Sequence, residues 1–539
     1  MTRLVLVLHS HLPWVLHHGR WPHGSDWLTE AAVDTYLPLL EVLLRLQADG
    51  VAAPISLGIT PVLANQLAHP DFATELDAFF VQRLTACTEA AAALEDPDAT
   101  AMRPLVAYWQ ARYARLRTLF DDIGHDLIGA FGTLAESGRL ELFSSAATHG
   151  FLPLLGRDES IRLQLQLGAA EHRRLFGRDA AGCWMPECAY RPGGPWHPLP
   201  NAPDAGRYRD GIERFVAEAG FRCTVVDTHL TAEAQPLGAS GGIHGGAAQS
   251  ANERAVHHLH RVGPDLAVFT RDPRLSAQVW SRFEGYPGDG RYLEFHKTRW
   301  PGGLKLWRVT GSGVDLGDKA PYDAAAAHRA AQDHAAHFAH LAARLGAEAD
   351  AEAVFCAPFD TELFGHWWFE GPDFLEATFR CLATERAVTP SLAADALREA
   401  GPLPQLTMPS GSWGANGDWS MWLSPATAWT WERLWPLESR FWDTIAAHLD
   451  DRAAHDTIAQ AARALLLAQS SDWQFIISTG AAADYAEQRF TTHANDLEQL
   501  LDALTDDDRG AALAAALHRI DDLFPDVLAT VAAVVRGSP

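Results

Sequence analysis

Long apolar runs are missing from this sequence. Leu4 to Leu8 is a run of five apolar residues, too few for a signal-peptide core. Nothing after it approaches the roughly 20 apolar residues of a membrane span. No membrane partner is expected, and the expected compartment is the cytoplasm. Positive charge is scarce as well: 43 Lys and Arg stand against 68 Asp and Glu, for a formal net charge of −25. Such a surface repels phosphate backbones and anionic lipids, so no nucleic-acid partner is expected either. Cysteine is sparse. The six residues Cys87, Cys183, Cys188, Cys223, Cys356 and Cys381 form no Cys-x-x-Cys pair, which argues against a disulfide framework and reads as buried free thiols in a reducing compartment. No internal repeat and no coiled-coil heptad is present.

Tryptophan, in contrast, is plentiful. There are 19 in 539 residues, and several, such as Trp14, Trp21, Trp27, Trp413 and Trp419, stand among glycines or polar residues. Flat aromatic faces beside carboxylates suit the apolar faces of pyranose rings, although core packing accounts for many tryptophans in any large protein. With 47% hydrophobic residues, the chain has ample material for two to four domains or one large barrel with additions.

Seven short apolar runs recur along the first three quarters: Arg3 to Leu8, Pro54 to Ile59, Leu140 to Ser144, Gly182 to Met185, Phe221 to Val226, Leu266 to Thr270 and Ala353 to Phe359. Each hands over at its C-terminal end to polar or ionisable residues, and several alternate with helical stretches such as 211–220 and 322–345. That is the pattern of a parallel β/α barrel with its site at the C-terminal face; an open doubly wound sheet is the alternative. A long amphipathic region, 70–136, reads as an inserted helical subdomain. The Gly- and Ala-rich stretch 231–261 has little apolar periodicity and follows a strand end, so it reads as a mobile loop over the barrel mouth or as a plain spacer. After about residue 400 the alternation stops, and 401–539 reads as a separate, strongly helical domain.

The strand ends carry the candidate chemistry. Glu187, in Cys183-Trp184-Met185-Pro186-Glu187-Cys188-Ala189-Tyr190, is a carboxylate placed to attack a sugar carbon, which requires a second carboxyl group as acid. Asp360, in Phe359-Asp360-Thr361-Glu362-Leu363-Phe364-Gly365-His366-Trp367-Trp368, is the candidate partner. His9 and His11 alternate at the end of the first strand and share a face. No third ligand stands at a recognisable metal spacing, so hydrogen bonding to a sugar is the preferred role.

Taken in order, His9-x-His11-x-Pro13, Thr148-His149-Gly150-Phe151, the stretches around Glu187 and Asp360, and Ser470-Ser471-Asp472-Trp473 resemble the signature regions of glycoside hydrolase family 57, most closely its branching members. The resemblance implies an incomplete (β/α)7 barrel with an inserted helical subdomain and a C-terminal all-helical domain that helps build a cleft. It implies Glu187 as nucleophile and Asp360 as general acid/base. It places His9, His11 and His149 around the sugar next to the scissile bond, Trp280, Trp413 and Trp422 along a glucan groove, and Asp472 and Trp473 at the cleft from the helical domain. No metal and no cofactor is implied. The substrate implied is an α-1,4-glucan, cleaved with retention and transferred to a 6-hydroxyl.

One departure stands out. The family's branching members carry a tyrosine in the loop over the site, and here no tyrosine lies between Tyr208 and Tyr286. Hydrolysis of the α-amylase type, or 4-α-glucanotransfer, is therefore the alternative on the same scaffold. Metal-dependent polysaccharide deacetylation or plain glucan binding is the alternative of another class.

Overall fold

The computed structural model describes residues 2–94, 102–180, 182–199, 202, 205–232, 256–281 and 284–537. Seven parallel strands organise it: β1 (Arg3–Ser10), β2 (Ile55–Ile59), β3 (Leu140–Ser145), β4 (Gly182–Trp184), β5 (Cys223–Val226), β6 (Leu266–Thr270) and β7 (Val354–Asp360). Every one falls on a predicted run. Their order in space is β7-β1-β2-β3-β4-β5-β6. Strands covered on both faces show near-continuous hydrophobic sequence, and β1, β2 and β5 are buried along almost their whole length.

The two-residue period of a strand sorts these side chains into two cores. Val5 and Val7, Phe143, Trp184, Cys223 and Val225, Ala267 and Phe269, and Val354 and Cys356 pack together as one small cluster inside the barrel. Leu4, Leu6 and Leu8 belong to the large cluster between strands and outer helices. Continuing the inner rows by two residues gives His9, Ser145, Asp227 and Arg271, and continuing the β7 row by four, past Pro358, gives Asp360. The mouth is thus lined by whatever follows the apolar row. The interior is tight: a Cβ at Gly182 would meet the Phe143 ring within 2.1 Å, so only glycine fits there.

Closure is partial, and the fold is an incomplete (β/α)7 barrel. β7 pairs with β1 over Arg3↔Val354 to His9↔Asp360. On its other side it meets the β6 end only through the isolated bridge Arg271↔Cys356, where the Asp272 amide donates to the Cys356 carbonyl at 2.7 Å. A short strand, His260–Val262, runs antiparallel along β6. It corrects part of the loop expected over 231–261, as does the helical turn Thr228–Thr231; 233–255 lie outside the described residues.

Between β2 and β3, after the short helix Pro61–Leu67, stand α1 (Pro70–Ala93), α2 (Arg103–Asp122) and α3 (Leu127–Glu136). α2 buries Leu105, Val106, Trp109, Tyr113, Leu116 and Phe120, an i, i+3, i+4 stripe. Helix α4 (Asp158–Phe176) lies between β3 and β4, and α5 (Ala324–Glu348) precedes β7. The C-terminal region is helical: α6 (Ala428–Ile445), α7 (His455–Ala468), α8 (Asp472–Thr479), α9 (Ala483–Ala503), α10 (Asp507–His518) and α11 (Val527–Val535). Tryptophans fasten it to the barrel side. Trp435 Nε1 donates to the Leu154 carbonyl at 2.8 Å and Trp442 Nε1 to Ser160 Oγ at 2.9 Å. Trp14, from the loop after β1, is 1% exposed and donates to the Ile520 carbonyl, so this indole is core rather than a platform. Among the described residues no helix is long and apolar enough to cross a membrane. Five of the six cysteines are buried free thiols, and Cys381 is half-buried.

Candidate active site

Glu187 follows β4 in a single 3-10 turn, Pro186–Cys188, and its backbone is left-handed at φ 60°. His149, after β3, is left-handed too at φ 59°. Non-glycine residues rarely adopt this region, and such strain persists only where the surroundings hold it. Here both are clamped by backbone from distant segments: the Trp413 amide donates to the Glu187 carbonyl at 3.0 Å and the Ser471 amide to the His149 carbonyl at 3.1 Å. The Glu187 carboxyl is held at both oxygens. Trp413 Nε1 donates to Oε2 at 2.8 Å and Ser471 Oγ to Oε1 at 3.2 Å. Burial pushes the carboxyl up to about 7, while Trp413, His11 and Ser471 favour its ionised form.

A hydrogen-bonded chain runs back from that carboxylate. If Ser471 Oγ donates to Glu187, it accepts from His149 Nδ1 at 3.0 Å. His149 Nε2 then accepts from His9 Nε2 at 3.0 Å, which leaves His9 Nδ1 as a buried acceptor with no partner. The tautomers follow from the acceptor-only carboxylate at one end. Both rings belong to the neutral form: burial, and then the neighbouring histidines, push His9 and His149 well below the usual imidazole range. His9 also stacks on Trp184 with ring centres 4.5 Å apart.

His11 is the most readily charged of the three histidines. Its Nε2 meets Asp472 Oδ2 at 2.8 Å and its Nδ1 meets Thr60 Oγ1 at 3.1 Å. Burial works against the charge, but Asp472 outweighs it and raises His11 above its ordinary value. Reciprocally, Asp472 is held at about 2 against burial by His11 and by Ser470. The donor atoms of His11, His149 and Asp472 lie within 4.8 Å of one another. The third ligand-type group that no sequence spacing revealed is therefore Asp472, brought in by α8.

Asp360 ends β7 beside His9 in register. Burial, then the charges of Glu362 and Glu187, push its pKa well above the carboxylate range, with Arg271 opposing. Glu362 is itself raised by burial to about 7 while receiving the His11 amide at 3.1 Å and the Tyr36 hydroxyl. The mouth thus combines a carboxyl that resists ionisation with one that titrates near neutrality.

The tryptophans divide. Trp413 stands edge-on between Trp184, at 4.9 Å, and Trp280, at 5.7 Å. Trp280 is part-exposed, so this ladder reaches from Glu187 to solvent. Trp422 differs from the groove-lining role expected of it, and Trp473 from its expected place at the cleft: both are 0% exposed. Trp422 stacks on Phe151 at 4.5 Å, and Trp473 donates to the Leu467 carbonyl at 2.8 Å. They pack beneath the mouth. Ser471, Glu362, Arg271, Tyr36 and Trp184 join the site without having been singled out for it from sequence; the inward strand row would have pointed to Trp184 and Arg271.

Fold and site define the class, a β/α-barrel enzyme with two buried carboxyl groups set among indoles and imidazoles. A model of glycosyl hydrolase family 57 matches residues 5–403, and a model of the 1,4-alpha-glucan branching enzyme C-terminal region matches residues 435–531. The chain belongs to glycosyl hydrolase family 57. It is 38% identical over 507 residues to a 1,4-alpha-glucan branching enzyme of Thermococcus kodakarensis, covering 93% of this chain and 73% of that protein. The crystal structure of the branching enzyme of that archaeon superposes with a TM-score of 0.92 at 36% identity, covering 98% of this chain and 96% of the other. An alpha-amylase of Thermotoga maritima superposes with a TM-score of 0.82 at 26% identity, covering 98% and 99%.

Proposed function

We propose that this protein is a 1,4-α-glucan branching enzyme, with residues 1–400 as the catalytic barrel and 401–539 as a helical domain completing the cleft. The observation that carries the reading is the double clamp on Glu187 and His149 by Trp413 and Ser471, the latter from the region that matches the branching-enzyme C-terminal model. Glu187, ionised, attacks C1 of an α-1,4-linked glucose. The C1–O4 bond breaks and the Asp360 proton goes to O4, leaving a glucosyl ester on Glu187. Asp360, now a carboxylate, takes the proton of an acceptor 6-hydroxyl, whose oxygen attacks C1 and releases Glu187. His9, His11, His149 and Asp472 bind sugar hydroxyls, and Trp280 and Trp413 offer the aromatic path. The working compartment is the cytoplasm, in keeping with free thiols.

Hydrolysis is the competing outcome when water takes the acceptor's place, and the absence of a tyrosine between Tyr208 and Tyr286 favours a larger share of it. Feeding amylose and measuring new α-1,6 linkages against released reducing ends decides between them. Branch points should exceed new reducing ends; reducing ends without branches would make the protein an amylase.

A further inference from the structure

Away from the mouth, three stretches of chain cross at the surface: the loop after β1, the start of α1, and the link between α10 and α11. Donor atoms of His17, His69 and Asp71 lie within 4.8 Å of one another there. His17 Nε2 is 2.9 Å and His69 Nδ1 3.9 Å from Asp71 Oδ2. The other nitrogen of each ring is held from behind. His17 Nδ1 is 3.3 Å from the Ile520 carbonyl and His69 Nε2 is 3.1 Å from Asp522 Oδ2. Carbonyl and carboxylate oxygens only accept, so these rear nitrogens carry the protons. In the neutral rings the front nitrogens therefore turn lone pairs toward the Asp71 carboxylate. A lone pair and a carboxylate oxygen at 2.9 Å repel unless a cation or a proton stands between them.

One ring nitrogen free for an ion, the other donating to a carbonyl or carboxylate, is the arrangement that orients metal-bound histidines. Here both histidines have it. His17 also sits at φ 64°, a rare conformation for a side chain larger than glycine. We propose that His17, His69 and Asp71 bind a Zn2+-class divalent ion, water completing the shell, and that the ion ties the Ile520–Asp522 link to the barrel. Two imidazoles and a carboxylate suit zinc and disfavour calcium or magnesium, which take oxygen. The His69 Nδ1 also accepts the exposed Asp71 amide at 3.1 Å; the ion displaces that bond, and water takes the amide. The cluster of His11, His149 and Asp472 is a poorer host. There the His149 Nε2 lone pair is taken by the buried His9 ring rather than by an exposed amide that water can satisfy.

The test is calorimetric titration of EDTA-stripped enzyme with Zn2+, alongside hydrogen exchange. One tight site per chain is expected. His17→Asn, which tolerates positive φ, and His69→Asn, which keeps a helix cap, should weaken it by more than the about 10–100-fold that loss of an outer-shell partner costs. Zn2+ should slow exchange of the amides in 519–526 in the parent chain and not in His17→Asn, and glucan turnover in His17→Asn should match the parent. Zinc binding that survives His17→Asn but is lost in His149→Asn places the ion in the mouth and overturns the proposal. Binding no tighter than millimolar also overturns it, leaving a proton between His17 and Asp71.

Discussion

Burial is the largest influence on both Glu187 and Asp360, but they answer to different neighbours, and their pH behaviour follows from that. Attack needs Glu187 ionised, so the rate should rise as pH passes through about 7. Proton donation needs Asp360 neutral, so the rate should fall as pH rises through the raised pKa of Asp360. The profile is then a bell whose acid limb belongs to Glu187 and whose alkaline limb belongs to Asp360. Glu187→Gln and Asp360→Asn keep side-chain size; each should lower kcat by about 10²–10⁴-fold or more while circular dichroism and thermal unfolding stay close to the parent. A loss of only a few-fold in either would mean a different carboxylate carries that role. Trp413→Phe removes the indole donor at 2.8 Å from Glu187. A hydrogen bond to a charged group is worth about 1.5–3 kcal/mol, so the acid limb should move up by about 1–2 pH units. Ser471→Ala should move it the same way. A limb that stays put in both would detach it from Glu187.

Strands were legible as elements, because burial on both faces writes them as unbroken apolar runs, and the polar residues beyond the inner rows mark the mouth. His9 and Asp360 were found instead as the polar residues to which their apolar runs hand over. The three-residue strand His260–Val262 was not legible, since it is too short to show a period and adjoins a Gly- and Ala-rich stretch. Nor can composition separate a buried indole from an exposed one: Trp422, in a Gly- and Trp-rich stretch, is sealed under Phe151 while Trp21 is 73% exposed. The Phe364-Gly365-His366 turn is explained only by packing. Gly365 has φ 134°, and a Cβ there would meet the Asp34 carbonyl at 2.0 Å. Helix α6 holds a further element no pattern announced: Glu438, 0% exposed, accepts the Gly156 amide at 2.7 Å and Gln469 Nε2 at 2.8 Å. Glu438→Ala strands both donors, at about 1–3 kcal/mol each, so it should destabilise by about 2–6 kcal/mol, read by denaturant unfolding, without moving the pH limbs.

At the scale of the whole molecule, the histidine-rich mouth serves sugar rather than metal in the proposed mechanism, so EDTA should leave turnover per folded molecule unchanged. A rate abolished by EDTA and restored by zinc would put the ion among His11, His149 and Asp472. The site is also assembled from both ends of the chain. His9 and Glu187 come from the first half, whereas Trp413 and Ser471, which clamp the two left-handed backbones and the Glu187 carboxyl, come from the last quarter. Translation proceeds from the N-terminus, so all seven strands leave the ribosome before either clamp exists. A chain stalled or cut short of residue 413 has its carboxyls but lacks the Trp413 and Ser471 amides that donate to the Glu187 and His149 carbonyls. In the proposed mechanism, competence to break a glucan therefore arrives only with the C-terminal segments that complete the cleft, and a barrel released without them should be inactive on amylose.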